Sequence, residues 1–138
     1  MKRKYGGEFT VKDKILNRIK RSKVNVFIPN DFKGIAAYPQ VLRALKQLTD
    51  SNILIRLGYG VYVKTDLNPF NNKLYPAGDP TYNMRDLLGK LKLKWDYSQA
   101  VKDYNADIST QVPVRHYLVI QDRFSRKLND MEDTYVVR

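Results

Sequence analysis

Within residues 39–52 the side chains Gln40, Arg43, Lys46 and Gln47 recur at steps of three, three and one. On a helix that spacing gathers them on one side, opposite the apolar residues Val41, Leu45 and Leu48. Arg pairs with guanine and Gln with adenine through bidentate hydrogen bonds, so such a face can read base edges in a major groove. Tyr38, just before Pro39, joins the same set of DNA-binding candidates. A second set surrounds Gly58-Tyr59-Gly60, where Arg56 and Lys64 flank a tight turn and Tyr59 at its tip can donate to a phosphate oxygen. Arg3 and Lys4, in the basic start, add candidate phosphate contacts. A polar helix face is also what a merely solvated helix shows, so the surroundings must decide.

The charge distribution is the first such context. The chain has 138 residues and a net charge of +11. Residues 1–64 hold 14 Lys plus Arg against 4 Asp plus Glu, whereas residues 65–138 hold 11 against 10. The basicity therefore belongs to one segment, and a localised positive field suits a polyanion because neutralised phosphates release counterions.

The residues offer little for catalysis. There is no cysteine, hence no disulfide and no thiolate site, which suits a reducing cytoplasm. The single histidine, His116, lies in an apolar run and reads as structural or as surface. Asp130, Glu132 and Asp133 cluster in an apparent turn and read as a solvated loop, so no metal and no cofactor is expected. No glycine-rich loop opens a helix in the nucleotide-binding pattern. No apolar run approaches a membrane span, and no signal peptide is expected after the basic start. The reading is of a cytoplasmic protein that is not an enzyme.

The elements that would position these residues follow from periodicity. Thr10 with Asp13 resembles a capping box and opens a helix over 11–21, with Val11, Ile15, Leu16 and Ile19 on one face. A short strand over 24–28 leads to Pro29 and a brief helical turn. The helix over 39–52 follows, then strands over 53–57 and 61–64 around the glycine turn. That order is the order of a winged helix-turn-helix. Residues 65–80, with Pro69, Pro76, Gly78 and Pro80, read as a linker. Residues 81–138 read as a small α+β domain: a helix over 82–93, a second over 95–104, a strong strand over 114–120 and short strands over 125–128 and 134–137. The fold class expected is α+β, with a short antiparallel sheet in the second domain.

Two motifs carry a family resemblance. Phe27-Ile28-Pro29-Asn30-Asp31-Phe32 followed by Ile55-Arg56-Leu57-Gly58-Tyr59-Gly60-Val61-Tyr62 resembles the winged helix of the AbiEi-type antitoxins of type IV toxin–antitoxin systems. Ser109-Thr110-Gln111-Val112-Pro113, then Asp122 and Ser125-Arg126-Lys127, resembles elements of that family's second domain. The resemblance implies a DNA-binding antitoxin that represses its own operon through inverted repeats, with a nucleotidyltransferase-like toxin as partner. The chain departs from the family in ending soon after Lys127, which implies a minimal second domain. Two other functions stay open on the residues alone. One is a mobile-element inhibitor module that binds a protein. The other is an RNA-binding protein, for which exposed aromatics would be needed as stacking platforms.

Overall fold

The structure, a computed structural model, describes residues 10–107, 110 and 117–138, and it divides the chain into two compact units, Met1–Ala77 and Gly78–Arg138. The division falls inside the stretch expected to link two domains. Both units combine helices with a small sheet, so the α+β class holds.

In the first unit α1 spans Val11–Arg21, as periodicity requires. The expected capping box is formed: Thr10 Oγ1 accepts from the Asp13 amide at 3.2 Å, and Asp13 Oδ2 accepts from the Thr10 amide at 3.0 Å. Two amides that no helical carbonyl could reach are thereby satisfied. β1 is Val26–Phe27, and a 3₁₀ turn covers Pro29–Phe32. Here Asp31 Oδ2 accepts from the Ile28 amide at 3.0 Å, and the Phe27 and Phe32 rings sit 6.0 Å apart. The conspicuous Phe27–Phe32 sequence motif is thus a clamp that turns the chain from strand to helix.

α2 spans Tyr38–Asp50. It stops where Asn52 adopts the left-handed conformation (φ 63) and the Ile53 amide donates to the Leu48 carbonyl at 2.9 Å. Asn tolerates that geometry better than most residues, and the bond satisfies a carbonyl at the helix end. Val41, Ala44, Leu45 and Leu48 of α2 join Ile15 and Ile19 of α1, Phe27, Phe32, Leu54 and Tyr62 in one buried cluster. The central strand of the sheet is β3, Val61–Leu67, antiparallel to β1 on one side and to β2, Leu54–Gly58, on the other. Phe27, Tyr62 and Arg56 stand in register across the three strands.

The structure corrects the expectation for residues 65–80. β3 runs past Lys64 to Leu67, and β4, Leu74–Pro76, pairs with it antiparallel, Leu67 opposite Leu74. Asn side chains stabilise the connecting turn, Asn68 Oδ1 accepting from the Phe70 amide and Asn71 Oδ1 from the Lys73 amide, both at 2.9 Å.

In the second unit α3 spans Pro80–Lys90, capped by Asp79, and buries Met84, Leu87 and Leu88. Trp95–Tyr97 is strand β5 and not the first turn of a helix; α4 begins only at Gln99, with Ser98 as its cap, and ends at Asn105. β5 pairs antiparallel with β6, Leu118–Ile120, which pairs in parallel with β7, Tyr135–Val137. The expected antiparallel sheet is therefore mixed. Residues 125–128, expected as a strand, have no regular structure, although Leu128 is buried. The beginning of the expected strand over 114–120 lies outside the described residues.

α3 ends with the same device as α2, but on an unfavourable residue. Lys92 holds φ 58 while the Leu93 amide donates to the Leu88 carbonyl at 3.0 Å. A side chain there costs about 1 kcal/mol that glycine does not incur. Lys92→Gly should therefore stabilise the second unit by about 0.5–1 kcal/mol in urea, followed by fluorescence of Trp95. A lower midpoint would contradict this account of the helix end.

Candidate nucleic-acid interface

Burial of one side of α2 decides what its other side presents. With Val41, Ala44, Leu45 and Leu48 inside, Gln40, Arg43, Lys46 and Gln47 are all exposed. Gln40, Arg43 and Gln47 share a groove of about 390 Å³ with Thr10, Lys12 and Asp13 from the first turn of α1. Lys12 is the addition the sequence did not single out, because on α1 alone it is one of several solvated cations. Its place beside Arg43 depends on how α1 packs on α2. Lys46 Nζ meets Asp50 Oδ2 at 3.0 Å one turn along the helix. Both side chains are well exposed, so the pair is weak and a stronger anion can displace the carboxylate.

Three more candidates converge beside the start of α2. Arg56 pairs with Tyr62 across the hairpin, and its guanidinium carbon lies 6.0 Å from the centre of the Tyr59 ring. Arg56 Nε donates to the Gly58 carbonyl at 3.2 Å, which holds the side chain along the turn. Burial raises the Tyr62 phenol above its ordinary value of 10.0, Arg56 opposes that rise, and the Tyr38 and Tyr59 phenols add to it. Tyr38 is 56% and Tyr59 76% exposed. Of the two glycines in the turn only Gly60 uses the left-handed region (φ 67), while Gly58 lies where the strand register shifts. The loop is the two residues Tyr59 and Gly60, tight enough for the backbone to approach a surface.

Lys64 does not belong to this group. It pairs with Leu54 at the far end of the hairpin, about 10 Å along β3 from Val61. Its ammonium donates to the Ser22 carbonyl at 2.7 Å and so ties β3 to the end of α1. Arg3, Lys4 and His116 lie outside the described residues, as do Ser109, Gln111, Val112 and Pro113 of the downstream motif. Of that motif's other members, Asp122 holds the backbone together. Its Oδ2 accepts from the Lys94 amide at 2.6 Å, beside the Gln121 to Lys94 backbone bond at 2.8 Å. Ser125, Arg126 and Lys127 are exposed.

Among the described residues no group of three or more His, Cys, Asp or Glu is placed to hold a metal ion. Asp96 is held below the usual carboxylate range, chiefly by its hydrogen bond from Lys102 and then by the Tyr97 amide, but the pair is exposed. No described helix is long and apolar enough to cross a membrane.

These features define a two-unit α+β protein whose first unit presents a donor-rich helix face beside a tight hairpin turn. The chain belongs to a family of unknown function, DUF6088, which matches it over residues 13–129. No curated protein matches it.

The two kinds of cation in the first unit should separate by mutation. Lys64→Met should destabilise that unit by about 1–2 kcal/mol, since a partly buried carbonyl loses a charged donor. Gln40→Ala and Arg43→Ala should stay within about 0.5 kcal/mol of the parent. Native-state exchange of the Leu45 and Val63 amides measures both; equal costs at Lys64 and Arg43 would contradict the division.

Proposed function

We propose that the protein is a sequence-specific regulator that binds double-stranded DNA through its first unit, acting as an antitoxin-like repressor of its own operon in the cytoplasm. One observation carries the reading: the four long polar side chains of α2 point away from the core together, beside the Tyr38, Arg56 and Tyr59 cluster. The order α1, β1, 3₁₀ turn, α2, β2, β3 supports treating the unit as a winged helix-turn-helix, with α2 entering the major groove and Tyr59 touching the backbone. The charge asymmetry supports a polyanionic partner. The likeness to AbiEi-type antitoxins, and with it operator repeats and a nucleotidyltransferase-like toxin, rests on the two sequence motifs. On this reading the chain is not an enzyme and needs no cofactor.

A protein partner is a second reading, favoured by the side chains that the β3–β4 ribbon exposes: Leu67, Leu74, Tyr75 and Phe70, the last 96% accessible. Monomeric surfaces seldom gather so many apolar groups without a use for them.

The test compares the duplex upstream of the protein's own coding sequence with a scrambled duplex across a salt series. Specific retention at physiological salt is expected, with a slope that counts phosphate contacts. Arg43→Ala should lose about 1–3 kcal/mol of discrimination between the two duplexes if Arg43 meets a guanine. Equal, salt-labile binding to both duplexes would overturn the proposal.

A further inference from the structure

The second unit holds a groove that the DNA reading leaves unused. It measures about 610 Å³ and is lined by Tyr82, Tyr97, Tyr104, Tyr117, Arg85 and Val101, among others. That volume falls in the range of sites that hold ligands. Tyr82, Tyr97 and Tyr104 are all exposed, Tyr82 to 58%. Tyrosine offers a flat apolar face with a hydroxyl at its rim, so a wall of tyrosines suits a ligand that is apolar but still presents hydrogen-bond acceptors.

Charge narrows the choice. The Arg85 guanidinium carbon lies 4.8 Å from the centre of the Tyr82 ring, and among the described residues Arg85 has no ion pair. The groove's acid, Asp79, is committed to the start of α3, where Oδ1 accepts from the Thr81 amide at 2.8 Å and the Tyr82 amide at 3.4 Å. The groove thus presents one guanidinium with no carboxylate partner among the described residues, while its one carboxylate is turned to the amides at the start of α3. Residues 78–138 carry 10 Lys plus Arg against 9 Asp plus Glu, too even a balance to attract a nucleic acid chain.

We infer that this groove binds an extended, proline-rich peptide segment carrying an acidic side chain. In a polyproline helix the carbonyls have no internal partners and can accept from tyrosine hydroxyls, and the proline rings pack on aromatic faces. The acidic side chain pairs with Arg85, whose guanidinium carbon lies over the Tyr82 ring. The inference is independent of DNA binding by the first unit.

The chain carries its own reporter. Trp95 is the single tryptophan, and its ring meets that of Tyr97 edge-on at 5.2 Å. A synthetic oligoproline peptide with one central glutamate, titrated into the full chain, should change Trp95 fluorescence in a saturable way. Tyr104→Ala should abolish the response without shifting the unfolding temperature. Arg85→Glu should weaken the glutamate peptide about tenfold and favour the same peptide with lysine in its place. Absence of a response in the parent chain would overturn the inference, as would an Arg85→Glu protein that still prefers glutamate. Tighter binding of oligo(dT) than of the peptide, lost in Tyr104→Ala, would overturn it in favour of base stacking. Neither substitution touches α2, so duplex binding tests the other proposal separately.

Discussion

The first unit depends on the burial of a single helix side. Val41, Ala44, Leu45 and Leu48 have no surface left to share once they lie against Ile15, Ile19, Phe32 and Tyr62. Each residue turned inward fixes the direction of its neighbours three and four positions away. Gln40, Arg43 and Gln47 are thereby directed outward by packing. A face held this way is arranged in advance, which would lower the ordering cost of binding the proposed duplex. The same packing places the first turn of α1 beside Arg43, so Lys12 enters the face through tertiary structure.

How much of this is legible in the sequence depends on whether the deciding interaction is local. The Thr10–Asp13 capping box, the α1 boundaries and the glycine turn all follow from residues a few positions apart, and all are readable. The β3–β4 ribbon is not, because its strand residues number only three on the β4 side and its turn is built from the Pro and Asn that mark a linker. β5 reads wrongly as helix since Trp95 continues an apolar spacing. The contrary signals are Ser98, a good cap for a later start, and the β preference of Trp and Tyr. Lys64 is the hardest case. Its type fits a phosphate contact, but its partner is a carbonyl 42 residues away in sequence.

The two units differ in the chemistry of their surfaces. The first carries almost all of the net charge and presents cations and amides to the outside. The second is nearly neutral and presents tyrosines. Long-range attraction belongs to the first kind of surface, while the second relies on contact and shape. On the proposed reading the first unit would hold a polyanion and the second a proline-rich segment with an acidic side chain.

The most direct measurement of the central claim is a residue-by-residue map of amide shifts as duplex DNA from the upstream region is added. Shifts are expected to concentrate on Tyr38 and residues 40–47, on Arg56 to Gly60 and on Lys12, while Lys64 and the Leu67–Leu74 ribbon stay still. Shifts concentrated on the ribbon or on the second unit, with α2 unmoved, would contradict that claim.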